Sequence, residues 1–170
     1  MKKKPIVCYL FTKFDDDNSL FTFIENYLNY KSGFDHDLII SFKLINMSRL
    51  KNLSKRLNNI NYQEFLDPVT KNDFDFGTYK RVSENFMDRD ILFMSSHSYP
   101  ICHNWLNKLM KYKEENTLIG TSASNESLYS SIKLKKVYKI FSYLIKKYKF
   151  KKNFLSFPNP HIRTSSFLIK

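Results

Sequence analysis

The chain has 170 residues, 42% hydrophobic and 16% aromatic, enough for one sizeable core and too apolar for a disordered polymer. Its 28 Lys and Arg against 16 Asp and Glu give a formal charge of +12, so partners are expected among anions: nucleotide diphosphates, nucleic acids or anionic membranes. No apolar run reaches the eighteen or so residues of a membrane span, and Cys8 and Cys102 carry no spacing of a disulfide framework or metal site, which favours reduced thiols in the cytoplasm.

Pro5 to Phe11 is a short apolar run with β-branched and aromatic residues, the pattern of a buried strand. Lys13 and Asp15 interrupt it too early for a signal peptide. Phe14 to Ser19 supplies turn and N-cap residues, and Leu20, Phe23, Ile24, Tyr27 and Leu28 recur at helical spacing up to Gly33. Asp37 to Ile45 reads as a second strand, apolar enough to be covered on both faces. Leu50, Leu53 and Leu57 mark a second helix, and Tyr62 to Leu66 a third strand before Asp67-Pro68. A third helix is expected from about Gly77 to Phe86, a fourth strand over Asp90 to Met94, a fourth helix across Trp105 to Tyr112 and a fifth strand over Thr117 to Thr121. This alternation predicts a single α/β domain spanning residues 1–170, with a twisted, mainly parallel sheet flanked by helices. There is no internal repeat and no Pro/Gly/Ser-rich linker.

Residues 131–152 are expected to form one basic amphipathic helix. Val137, Ile140, Phe141, Leu144, Ile145 and Tyr148 fall on one face, and Lys133, Lys135, Lys136, Lys139, Lys146, Lys147, Lys149, Lys151 and Lys152 crowd the rest. Such a helix either lies on an anionic membrane surface or packs on its domain behind a solvated lysine face, and the pattern alone leaves both open. A Pro-Asn-Pro-His loop then enters a last strand, Thr164 to Ile169.

Ligands of open α/β sheets bind beyond the carboxyl ends of the strands. That rule draws Thr12 and Lys13, after the first strand, together with Ser95, Ser96 and His97, after the fourth. Lys80 and Arg81 follow Gly77 near a helix start, which offers N–H groups to an anion. Plainer readings stand beside each of these. Lys80 and Arg81 fit an exposed helix face, Asp75 an N-cap, Asp15, Asp16 and Asp17 a charge complement to the following helix, and His97 and His161 structural histidines.

Three blocks carry a resemblance as well: Asp75-Phe76-Gly77-Thr78-Tyr79, the fourth strand with its Ser95-Ser96-His97-Ser98-Tyr99-Pro100 exit, and Pro158-Asn159-Pro160-His161-Ile162-Arg163-Thr164-Ser165-Ser166-Phe167. In this order they resemble GT-A type glycosyltransferases, especially the rhamnan synthesis protein F family, over most of the chain. Asp-Phe-Gly also occurs in protein kinases, but their His-Arg-Asp loop and Gly-rich phosphate loop are absent from this sequence. The resemblance implies a nucleotide-diphospho-sugar transferase-like fold, a nucleotide-sugar donor and a glycan or lipid-linked acceptor in surface polysaccharide synthesis. It places the work in the cytoplasm, peripherally on the inner face of the membrane. It also implies a nucleotide or sugar contact for Asp75, a catalytic place for His161 near the donor sugar, and a charge for Arg163 on the diphosphate.

Most such enzymes hold Mg²⁺ or Mn²⁺ on the diphosphate with an Asp-any-Asp motif after the fourth strand. Ser95-Ser96-His97 stands there without a carboxylate, so no metal ligand is assigned. The diphosphate is expected to meet Lys13, the helix start after Gly77, and Arg163 instead. Further elements normally follow the last strand of this fold, so the chain reads as a minimal version or the first part of a longer protein. One alternative is therefore a truncated, inactive remnant. Another is a non-enzymatic nucleic-acid-binding module, motivated by the charge and by aromatics interleaved with lysines between Lys133 and Phe154. It is set aside because those aromatics mostly fall on the apolar stripe, where core packing would use them.

Overall fold

The computed structural model describes residues 3–169. Two compact units emerge, one made of residues up to Thr121 together with Thr164 onward, the other of Ser122–Arg163. No linker composition marks the two crossing points.

The first unit is built on a six-stranded sheet. Strands β1 (Ile6–Thr12), β2 (Asp37–Lys43), β3 (Gln63–Asp67) and β4 (Ile91–Met94) alternate with helices α1 (Asp17–Asn29), α2 (Met47–Arg56) and α3 (Phe74–Asn85). Helix α4 (Trp105–Met110) and strand β5 (Ile119–Gly120) follow. Within the second unit lie β6 (Ala123–Ser124), α5 (Leu128–Ser131), a 3-10 turn over Val137–Lys139, α6 (Ile140–Asn153) and β7 (His161–Ile162); β8 (Ser166–Ile169) returns to the first. Strand order in the large sheet is β3-β2-β1-β4-β8-β5. The first four strands are parallel, whereas β8 runs antiparallel to both β4 and β5. The mixed α/β architecture is thus the one the alternation predicts, with an antiparallel strand inserted near one edge.

β1, β2 and β4 are buried on both faces because almost every residue in them is apolar. One face sends Val7, Tyr9, Phe11, Leu38, Ile40, Phe42 and Leu92 against Leu20, Phe23 and Ile24 of α1, Leu50 and Leu53 of α2, and Trp105 and Leu106 of α4. Tyr9 and Phe23 stack there with ring centroids 4.0 Å apart. On the opposite face, Tyr79 of α3 meets Phe93 and Phe167. Each large side chain fully buried this way contributes on the order of 2 kcal/mol.

Element boundaries shift where capping chemistry overrides periodicity. α1 begins at Asp17 because Asp16 is its N-cap, accepting from the Asn18 N–H at 3.0 Å. α3 begins at Phe74, three residues before the expected start, so Gly77 lies inside the helix rather than in the turn before it. The expected helix over 131–152 divides. α5 stops at Ser131, and the regular helix resumes only at Ile140. A continuous helix would set Lys133, Lys135 and Lys136 in its first turns, against the positive end of its own dipole.

Candidate functional site

The strand order reverses between β1 and β4, since the chain passes outward through β2 and β3 on one side and through β4 on the other. The crevice beyond the carboxyl ends of those two strands is where an α/β sheet receives its ligand. Asp15 spans it. Its Oδ2 accepts from the Thr12 amide at 2.7 Å and the Thr12 hydroxyl at 2.8 Å, and its Oδ1 accepts from the Ser96 hydroxyl at 2.7 Å. One carboxylate therefore ties the exit of β1 to that of β4.

The loop after β4 is pinned from three sides. The Tyr9 hydroxyl donates to the Ser96 carbonyl at 2.8 Å, and the Ser95 amide and the Ser98 hydroxyl both donate to the Ser165 carbonyl at 2.8 Å. Ser95 and Ser98 share a 3.2 Å hydroxyl contact. His97 is left exposed between them. On the β1 side, Arg49 from the first turn of α2 binds Asp17 and donates to the Asp15 carbonyl at 2.6 Å and the Lys13 carbonyl at 3.2 Å. This arginine shapes the loop that presents Lys13, whose own ammonium is exposed and lies 5.0 Å from the Phe14 ring centroid.

Asp75 faces the same region. Desolvation raises its carboxyl above the ordinary carboxylate range; Lys43 opposes this, Asp15 adds to it, and His97 opposes it. Asp15 and His97 thus both lie within electrostatic reach of Asp75, which as a whole stays accessible to solvent.

Next to this crevice, the ends of β2 and β3 are locked by charge. Lys43, buried at the end of β2, donates to Asp73 at 2.5 Å and to the Phe74 carbonyl. Arg81 binds Asp67 through Nε at 2.6 Å and Nη2 at 2.8 Å, and Asp73 through Nη1 at 2.7 Å. Thr78 donates to Asp67 at 2.5 Å. Burial opposes ionisation of Asp67, but the Arg81 and Thr78 hydrogen bonds outweigh it and hold the carboxyl below its usual range. The Arg81 hydrogen bond, followed by that of Lys43, depresses Asp73 strongly. Phe74 has a left-handed backbone (φ +58), a conformation costing a bulky residue on the order of 1–3 kcal/mol, and the Lys43 contact to its carbonyl helps hold it.

Several expected ligand groups have other occupations. Arg81 is committed to two aspartates. Lys80 pairs with Glu84 at 3.8 Å and lines a hollow with Phe86, Met87, Ile91 and Ile169, so it is not gathered with the strand-end groups. Gly77 clears room for a protein group: a Cβ there would sit 1.9 Å from Asp73 Oδ2. Asp75 is in the first turn of α3, whose N-cap is Asp73. Asp16 and Asp17 serve α1, as cap and as first-turn charge, while Asp15 turns away to bridge the strands.

His161 and Arg163 belong to the second unit. The His161 ring Nδ1 is 2.7 Å from the Asn159 carbonyl, and Arg163 stands 3.7 Å from Glu126 with about half of its side chain exposed. In that unit the stripe expected to pack is exposed: Val137 is 80%, Phe141 78% and Tyr148 73% accessible. Core packing therefore does not account for these aromatics, and that ground for setting nucleic acid aside falls.

The groups that sequence reading passed over are Tyr9, Asp15 as a bridge, Lys43, Arg49, Asp67, Asp73 and Ser165. Lys43 carried a visible signal, a charge closing the mainly apolar run that begins at Leu38. The divalent-metal question can be put to the donor set directly. Asp15, the carboxylate bonded to the β4 exit, already accepts three hydrogen bonds, and among the described residues no group of three His, Cys, Asp or Glu could hold a metal ion.

No family model matches the chain, and no curated protein matches it. Among solved structures it is similar to the apo structure of WbbM, a bifunctional glycosyltransferase, with a TM-score of 0.52 at 15% identity over 99% of this chain. It spans 32% of the length of that protein. The likeness is one of fold, shared with part of that glycosyltransferase, and does not extend to membership of the rhamnan synthesis family.

Proposed function

We propose that the chain is a nucleotide-sugar-dependent glycosyltransferase domain acting in the cytoplasm on a glycan or lipid-linked acceptor of surface polysaccharide. The observation that carries the reading is the Thr12–Asp15–Ser96 bridge, which places polar groups of β1 and β4 together at the reversal of strand order, on a glycosyltransferase fold. A leaving diphosphate needs positive charge and N–H donors, and the proposal assigns these to Lys13 and the start of α3, with Asp75 and His97 contacting nucleotide or sugar. The motif resemblance adds to the proposal His161 as the catalytic group, taking the acceptor hydroxyl proton as the acceptor oxygen bonds to the sugar and the diphosphate departs, and Arg163 as a counter-charge. No step runs through a metal.

The test is a thermal-shift screen against nucleoside diphosphates and nucleotide sugars. A ligand at about 100 times its Kd stabilises by about 2.7 kcal/mol, which for a chain of this size is roughly 5–10 °C in Tm. Lys13→Ala is expected to reduce the shift and EDTA to leave it unchanged. No shift across the panel at millimolar ligand would refute the reading.

A further inference from the structure

The second unit holds an amphipathic element turned inside out relative to its sequence pattern. α6 half-buries Tyr143, Lys147 and Phe150, which follow at i, i+4 and i+7; the Lys147 ammonium lies 5.5 Å from the Tyr143 ring centroid, and Phe150 meets Phe154 at its edge. The opposite face, Val137, Phe141, Leu144, Ile145 and Tyr148, is more than half exposed at every position. Five large apolar side chains on one helix face are costly to leave in water, and a patch of this kind marks an interaction surface.

Charge states what covers it. Exposed Lys149, i+4 from Ile145, and Lys151, i+7 from Leu144, border the stripe on either side, and Lys152, i+4 from Tyr148, closes its end, whereas the hollow that Lys133, Lys135, Lys136, Lys139 and Lys146 line includes Tyr143 and lies on the other face. An apolar face bordered and closed by exposed ammonium groups is complementary to acyl chains beneath anionic headgroups. The stripe is mainly aliphatic, through Val137, Leu144 and Ile145. Bases stack on aromatic faces and gain little from aliphatic ones, whereas a bilayer takes up both. With fourteen residues, α6 is about 21 Å long, and among the described residues no helix is long and apolar enough to cross a membrane. It can lie in the interface without spanning it.

The geometry points to α6, with the preceding 3-10 turn, as a docking element for an anionic lipid bilayer, its stripe seated at the level of the acyl boundary and Lys149, Lys151 and Lys152 meeting phosphate or carboxylate headgroups. This goes beyond the glycosyltransferase reading and does not depend on it, because lipid binding needs no nucleotide.

The experiment is co-sedimentation of the full chain with phosphatidylcholine vesicles, with and without 30% phosphatidylserine, alongside binding to a labelled single-stranded oligonucleotide. Strong preference for the anionic vesicles is expected. Lys149→Gln/Lys151→Gln/Lys152→Gln should weaken it about 100-fold at low salt, and Phe141→Ser/Ile145→Ser should abolish the part that persists at high salt. Both sets avoid the half-buried Tyr143–Lys147–Phe150 face, and unchanged thermal melts would confirm intact folding. Equal binding to neutral and anionic vesicles, or vesicle binding untouched by either set, overturns the proposal. So does loss of oligonucleotide binding alone, which would make the stripe a nucleic-acid surface.

Discussion

Two neighbouring stretches of one sheet edge handle charge in opposite ways. At the ends of β2 and β3, Lys43, Arg81, Asp67 and Asp73 neutralise one another and fix the entry to α3, including the left-handed Phe74. At the ends of β1 and β4, one carboxylate bridges hydroxyl and amide donors, and Lys13 and His97 stay exposed. Cations at the first place are consumed in holding backbone; those at the second remain available to an incoming anion. Proximity to a strand end is thus not enough to make a basic residue a ligand group.

The comparison can be broken most forcefully at Asp67. Replacing it by alanine leaves the buried Thr78 hydroxyl without its acceptor and Arg81 with one carboxylate, and should cost about 3 kcal/mol. Urea denaturation measures this. The same variant, where folded, should keep its nucleotide-induced thermal shift. Loss of that shift in a protein that remains folded would merge the two regions into one site.

Acid provides a second, smaller effect. Asp67 and Asp73 have depressed folded-state pKa values, so the stability they lend is fully present above the unfolded carboxylate pKa of about 4 and is lost as pH falls through the folded values. Unfolding free energy measured by urea titration from pH 6 to pH 2 should therefore decline below about pH 4. In Asp67→Ala the decline should be shallower. An equal decline in the variant would show that other carboxylates carry it.

The smallest effect sharpens the other region. If Asp15 is a bridge and not a ligand, Asp15→Asn removes a negative charge from the mouth of the crevice and should strengthen nucleoside diphosphate binding about two- to fivefold, a change of under about 1 kcal/mol. Isothermal titration reads it directly. Weaker binding would mean that the carboxylate itself meets the ligand or a cation on it.

The parallel core was legible because strands buried on both faces write themselves as nearly continuous apolar runs, as in Ile6 to Phe11 and in Leu38 to Phe42 with its single buried Ser41. The Thr12 and Ser96 pairing was legible too, since the strand-end rule depends on order alone. What stayed hidden depends on distance between residues remote in sequence. Nothing in the run Asp15-Asp16-Asp17 tells that the first faces Ser96, the second caps a helix and the third pairs with Arg49. The glycine at 77 announced a close approach, but not that the visitor would be Asp73. The stripe of α6 obeyed the period of a packed helix, and periodicity carries no information about which medium the apolar face meets.

The antiparallel β8 sets an order of assembly. β1 to β4 can pair as soon as they leave the ribosome, because each finds its neighbour among residues already made. β5 cannot: its partner is β8, and between the two lies the whole of Ser122–Arg163. Until Phe167 reaches Phe93, that side of β4 is a bare edge with unpaired N–H and C=O groups. Closing so distant a contact is slow relative to local pairing, so nascent chains arrested before β8 should be the species most prone to edge-to-edge association.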